Sequence, residues 1–499
     1  MKLVLRLTSR SNILISISIL FLILFFLNLW FKSSINSFFS QDDFFHLRMI
    51  MDKDIIDIPS FFVSRMEGQT FYRPLSRETY NLLMYKLFNL NSLPYHLVNL
   101  SLILTITFLL MILVYELTGN TSTYIISGVI FIISGIHSIE LYYLSSVQTL
   151  IAANLCLLSI IFYSSYLKSN KINYFLASFL VYSLSLFSHE SVIILPAFLL
   201  ILELFYGKFS LFSLPLRLGL FFTVSLLFFL SSSSLTFLPN QAVYQPNFNL
   251  KSIVNTFGWY TAWSFGLPEI LVDFVGPNFK LNDNFTYWYK DYARIVFSLV
   301  FMICSMLALS IYIYRKSLIK NRFFTLCVLG FAISVLPFLF FPQHKFVYYL
   351  SFAIVWFSIA FGVILSMLWR FSIIHKILVI FVVLAFGVVA YKTIELNRIT
   401  YWAAKRAKAA DYILENFKQK YPKIDDGTII YLTDDPSYPD IAKEWGTSSK
   451  QAFYILSGSD ALRLFYNDAS LRVYFESNGD LPKRIGSEKV LEILAKFPY

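Results

Sequence analysis

Charged side chains are scarce in this chain of 499 residues: 14% are charged against 57% hydrophobic. The mean hydropathy of +0.63 excludes a water-soluble protein of this length. Cysteine is nearly absent. Cys156, Cys304 and Cys327 all fall inside apolar stretches, where they act as small hydrophobes and supply neither a disulfide framework nor a metal-ligand spacing. No segment of about 20–50 residues recurs, which excludes a solenoid array. Lys and Arg are also missing from the short turns near 142–146 and 189–191.

What the chain does have is long apolar runs. A helix needs ~20 such residues to cross a hydrocarbon core of roughly 30 Å, and in that medium only helices satisfy every backbone group within one segment. Lys2, Arg6 and Arg10 precede a run from Asn12 to Phe31 that is too long for a signal peptide and lacks a small-residue cleavage site, so it is expected to be the first span. Further spans are expected near 97–117, 122–141, 146–167, 172–188, 191–206, 216–238, 292–314, 323–341, 346–369 and 375–394. The fold class is therefore an all-α polytopic membrane protein of about eleven helices.

The net charge of +11 needs no nucleic-acid partner, because basic residues kept in cytoplasmic loops set membrane orientation. With the N-terminus cytoplasmic, Lys168, Lys171, Lys208, Arg217, Arg315, Lys316, Lys320, Arg322, Arg370 and Lys376 all fall on the inner side. Two outer loops, 32–96 and 239–291, and an extracytoplasmic C-terminus follow. The chain then divides into a membrane domain, 1–394, and a small external α/β domain, 395–499, with a helix from Glu395 to Lys420 and strands over Thr428–Leu432 and Ser470–Phe475. Aromatics interleaved with Gly and Pro suit an interfacial or re-entrant segment over 253–275 better than a crossing helix, which stays open as the third reading.

The outer side collects the polar chemistry. Asp42 and Asp43 stand three and four residues before His46, which on a helix puts a carboxylate and an imidazole on one face. Ser40 with Asp43 also forms a capping box, whereas Asp42, just outside a span, lies where a general base meets a lipid-borne donor and a water-borne acceptor. Two Asp and one His fit many ions, so no cofactor is assigned and a divalent cation stays open. Arg73 suits a phosphate or the headgroups. His137 with Glu140, His189 with Glu190, and His344 with Lys345 close other outer span ends. Ionisable groups there are costly unless used or paired.

The order of these elements resembles the GT-C superfamily of polytopic glycosyltransferases, most closely the membrane half of TMTC-type and related protein O-mannosyltransferases and their bacterial relatives. The matching pieces are Asp42 and Asp43, the run Tyr72 to Leu75, the run Pro94 to Asn99, His137 with Glu140, His189 with Glu190, and Lys345 with Phe346 and Tyr348. The likeness covers roughly 12–395. Lys is usual in the family where this chain has His189, Arg where it has Lys345, and His-Pro where it has Ser134-Gly135. The tetratricopeptide repeats of the animal proteins are absent, so protein mannosylation as such is not carried across.

The resemblance implies transfer of a sugar, mannose or another hexose or pentose, from a polyprenyl-phosphate donor to an acceptor hydroxyl of a protein, glycan or lipid at the plasma membrane. In that reading Asp42 or Asp43 is the base of an inverting displacement, and Arg73, His189 and Lys345 meet the donor phosphate. His46, Glu190, His137, Glu140 and His344 then support the site or bind substrate. The alternative is a transporter or flippase for a lipid-linked sugar, but the ionisable residues sit at span ends and no internal symmetry is seen.

Overall fold

A computed structural model describes residues 30–66, 71–207, 213–235, 244–276, 280–425, 427–439, 446–479 and 489–497. The expected first span, Asn12 to Phe31, lies almost wholly outside the described residues. Each of the other expected spans coincides with a helix. After α1 (Asp42–Ile50) and α2 (Tyr80–Phe88) come α3 (Ser92–Thr118), α4 (Thr121–Ile132), α5 (Ile136–Tyr142), α6 (Val147–Ser169), α7 (Ile172–Leu186), α8 (Leu195–Tyr206) and α9 (Ser213–Leu235). Beyond them run α10 (Leu250–Ser264), α11 (Lys290–Lys320), α12 (Arg322–Val335), α13 (Ala353–Trp369) and α14 (Ile373–Thr400). Among the described residues 4 helices, Ser92–Thr118, Leu144–Ser169, Lys290–Lys320 and Ile373–Thr400, are long and apolar enough to cross a membrane by themselves. The pair α4 and α5 passes the same test jointly, bent by 47°. The chain is an all-α polytopic membrane protein with a small α/β domain at its C-terminal end.

Local chemistry sets the helix ends. Gly119, at φ 63, closes α3 in the left-handed region, and the Asn120 side chain accepts the Ser122 N–H to open α4, so the chain reverses at once. Hydropathy overstates other helices. α8 has 12 residues and α13 has 17, because Glu190–Ile194 and Val347–Leu350 are 3₁₀ turns where spans were expected to start. In the segment 253–275, α10 has 15 residues and ends at Ser264.

Close helix contact fixes the bundle at Gly362 of α13. A Cβ there would run into Ser127 of α4, whose N and Cα stand 2.9 and 3.0 Å away and whose Oγ is nearer still. Gly362→Ala is expected to lower stability by about 1–3 kcal/mol through overpacking. Thermal unfolding in detergent micelles checks this. Because Ser127 backbone atoms obstruct as well, adding Ser127→Ala is expected to leave most of the loss in place.

The C-terminal part begins where α14 ends. Tyr401 is extended (φ −68, ψ 128) and separates α14 from α15 (Trp402–Lys420), so the helix expected over Glu395 to Lys420 is two. Strands β1 (Ile429–Thr433), β2 (Arg472–Phe475) and β3 (Val490–Leu494) form a parallel sheet in the order β2-β1-β3, with Ile429 facing Arg472 on one side and Val490 on the other. The third strand was not anticipated. Parallel neighbours need a crossover, and α16 (Ser448–Ile455) and α17 (Asp460–Tyr466) supply it between β1 and β2. Ile430, Leu432 and Phe475 pack with Leu414 and Phe417 of α15, and the same core takes in Phe39 together with Phe44 and Leu47 of α1. The core therefore spans the expected boundary at 395. The helix that carries Asp42 is seated in it.

Candidate functional site

Asp42, Asp43 and His46 lie on α1, whose first turn favours carboxylates through the helix dipole. Asp43 and His46, expected on one helix face, both bond the Ser145 hydroxyl. Asp43 is buried, and its oxygens are taken up by the Ser145 N–H and hydroxyl (2.9 and 2.7 Å) and by the Ser40 N–H (3.0 Å). Burial pushes its carboxyl up to about 7, against those hydrogen bonds. The Ser145 hydroxyl gives its proton to Asp43, so His46 Nδ1, 3.1 Å from the same oxygen, is the donor there and Nε2 is left as an acceptor. Burial, then Arg77 and Arg73, hold His46 neutral.

Asp42 is placed differently. Its Oδ2 accepts the Tyr143 hydroxyl at 2.7 Å, while Oδ1 has no hydrogen-bond partner among the described residues. Burial raises its carboxyl above the usual value, opposed by that hydrogen bond and by Arg406. Asp42 and His46 border a cavity of about 200 Å³ whose other walls include Arg73, Arg77, Gln148, His189, His344 and the rings of Tyr143, Tyr348 and Tyr349. The unwound starts of the spans carrying α8 and α13 supply His189 and the two last tyrosines.

The cationic charge of the cavity rests on two guanidinium groups, each already paired. Arg73 donates from Nε and Nη2 to the two oxygens of Glu190 (2.8 and 2.6 Å) and from Nη1 to Gln148 (2.6 Å), and lies 4.7 Å over the Phe71 ring. Burial opposes charge on Glu190, yet the Arg73 guanidinium, by its charge and its hydrogen bonds, holds it well below the ordinary carboxylate range. Arg77, on the π-helical turn Pro74–Thr79, pairs with Glu78 and donates to the Phe71 carbonyl at 2.6 Å. Its Nη1 has no partner among the described residues.

The two histidines are not cations. Burial and then Arg73 bring His189 down to about 3 and His344 to about 4. His189 Nδ1 accepts the Ser191 N–H at 3.3 Å, which puts its proton on Nε2 and makes it a neutral donor. Lys345 is not a wall of the cavity. Its Nζ donates to the Pro342 carbonyl at 2.8 Å, and its electrostatic partner is Asp273. His137 and Glu140 are likewise outside it, buried and joined at 2.8 Å, with the other His137 nitrogen 2.8 Å from the Phe131 carbonyl. This pair anchors the bend between α4 and α5. Removing one partner of a buried pair costs about 3–5 kcal/mol, so His137→Ala is expected to depress the unfolding temperature while activity per folded molecule changes less than tenfold.

Arg77, Gln148, Tyr143 and Arg406 were not among the residues singled out from the sequence. Arg77 carried one available signal, four residues beyond Arg73 on the same turn; the others are separated from Asp42 by about a hundred residues or more and carry no motif. Among the described residues no three His, Cys, Asp or Glu side chains group as metal ligands.

No family model matches the chain, and no curated protein does. Among solved structures it is similar to ArnT from Cupriavidus metallidurans in the apo state, with a TM-score of 0.53 and 10% identity over 92% of this chain and 86% of that one. ArnT from the same organism bound to undecaprenyl phosphate gives a TM-score of 0.47 and 11% identity over 93% and 86%. At this identity the likeness is one of fold. The chain shares the fold of that apo structure.

Proposed function

We propose that this protein is a membrane glycosyltransferase that moves a sugar from a polyprenyl-phosphate carrier to an acceptor hydroxyl. The observation that carries the reading is one cavity at the ends of the spans where Asp42, whose Oδ1 has no partner among the described residues, stands among two guanidinium groups and a wall of tyrosines. The acceptor O–H gives its proton to Asp42 Oδ1 as its oxygen attacks the anomeric carbon from the face opposite the leaving group. The bond from that carbon to the carrier phosphate breaks, and the configuration inverts. Arg73 and Arg77 meet the charge growing on the leaving phosphate, in a site where little water screens them. His189 and His344 contribute as neutral hydrogen-bonding groups.

The distribution of Lys and Arg between loops supports a reading in which this cavity and the α/β domain lie outside the plasma membrane and the N-terminus is cytoplasmic. In the test, full-length protein in liposomes is offered a panel of radiolabelled polyprenyl-phosphate hexoses and pentoses together with lipid extracts and glycans as acceptors. Label is expected in one acceptor class with release of the carrier phosphate, and not with Asp42→Asn. Sugar lipid crossing the bilayer with no transfer would instead support a flippase. Mass spectrometry of surface glycans and glycolipids with and without the gene identifies the acceptor.

A further inference from the structure

We propose that Arg406, on the first helix of the α/β domain, is a positioning residue for Asp42, so that this domain completes the active site instead of acting as a separate acceptor-binding module. The inference rests on the glycosyltransferase reading, since it concerns the base assigned there.

The geometry begins one residue before the carboxylate. Gln41 has φ 43 and ψ −106, a conformation L side chains rarely adopt, and it sets the direction in which α1 starts. Such strain persists only where the surroundings hold it; the Gln41 carbonyl accepts the Phe44 N–H of α1 at 3.0 Å, and two further holds come from the α/β domain. The Gln41 N–H donates to the Ile455 carbonyl at the end of α16 (3.1 Å), and the Gln41 side-chain oxygen accepts from Arg406 Nη1. The Arg406 guanidinium lies 5.2 Å over the Trp402 ring, and Trp402 in turn packs on Tyr143, the donor to Asp42. Phe44 and Leu47 anchor the rest of α1 in the α/β core, so the helix cannot shift without that domain. Asp42 is thus reached from the α/β domain by two routes, through the backbone of Gln41 and through the stack of Trp402 on Tyr143.

The titratable and charged groups facing Asp42 are Tyr143, Arg406, Tyr401 and Tyr244 from neighbouring elements and Asp43 on its own helix. Of these, Arg406 is the cation that favours the ionised carboxylate. Without it, burial raises the carboxyl further.

Dicyclohexylcarbodiimide, which attacks protonated carboxyls in apolar surroundings, reads this without any substrate. Full-length protein in micelles is labelled across a pH series, and the adduct on Asp42 is located by peptide mass spectrometry, with Asp42→Asn as the blank. Arg406→Gln and Arg406→Leu are expected to move the labelling midpoint alkaline by about 1 pH unit, and Arg406→Lys to return it to the wild-type position. Either neutral variant that inserts and folds decides the matter: a midpoint unchanged from wild type overturns the proposal. A loss of transfer without that shift marks Arg406 as merely structural and overturns it too. The two readings fail separately. If Asp42→Asn transfers sugar at the wild-type rate, the base assignment falls whatever the midpoint does; if Asp42→Asn is inactive and the midpoint is unmoved, only the role of Arg406 falls.

Discussion

Asp42→Asn is expected to reduce sugar transfer by about 10²–10⁴-fold while the protein inserts and unfolds as wild type does, because general-base assistance is worth about that much and the amide keeps the shape of the carboxylate. The comparison that isolates the effect is Asp43→Asn. Asp43 accepts from Ser40 and Ser145, and an amide nitrogen in place of one oxygen would point a donor at donors, at a cost of about 1–3 kcal/mol in stability. Its activity per folded molecule is expected to stay within tenfold of wild type. The pH profile supplies a second check. The base works when ionised, and burial raises Asp42 above its ordinary value of 3.8, so transfer should be full above that raised value and fall as the pH drops through it. A profile flat down to the ordinary carboxylate range, or an Asp43→Asn enzyme that folds normally and is dead, would transfer the role away from Asp42.

The second large effect is expected at Arg73. Arg73→Gln should lower transfer by about 10²–10³-fold, the scale on which a preorganised charge at a leaving group acts, and should also lower stability by leaving Glu190 unpaired. The two losses are separated by Glu190→Gln, which removes the partner charge. If Arg73 serves only to neutralise Glu190, the double variant recovers both stability and rate. If it meets the donor phosphate, the unfolding temperature recovers and the rate does not, and this second outcome is expected. Arg73→Lys is expected to stay impaired as well, since an ammonium cannot hold both oxygens of Glu190 and Gln148 at the observed 2.6–2.8 Å.

The span pattern was legible in the sequence because it is a one-dimensional property: ~20 apolar residues in a row have few other fates than a membrane helix. Asp42, Glu190 and His189 were legible for the same kind of reason, as ionisable residues at the ends of apolar runs, where charge is too costly to leave unused, and Arg73 as the cation of the run Tyr72 to Leu75 in the first outer loop. What each does was not. Nothing local distinguishes Asp42 from Asp43, or tells that Lys345 turns to the Pro342 carbonyl while Arg77 reaches the cavity. His189 reads as a cation until its burial, and then the Arg73 beside it, are known.

The sequence by itself determined a polytopic helical protein, a C-terminal α/β segment and the set of residues from which a site could be built, because hydrophobic length and period are written locally. Only the tertiary structure decided which carboxylate faces the cavity, which cations remain, and that α1 belongs to the core of the α/β domain. Those depend on contacts such as Ser145 to Asp43 and Arg406 to Gln41, between residues far apart in the chain. Burial and a neighbouring charge, which set what an ionisable group can do, exist only once those distant segments have packed together.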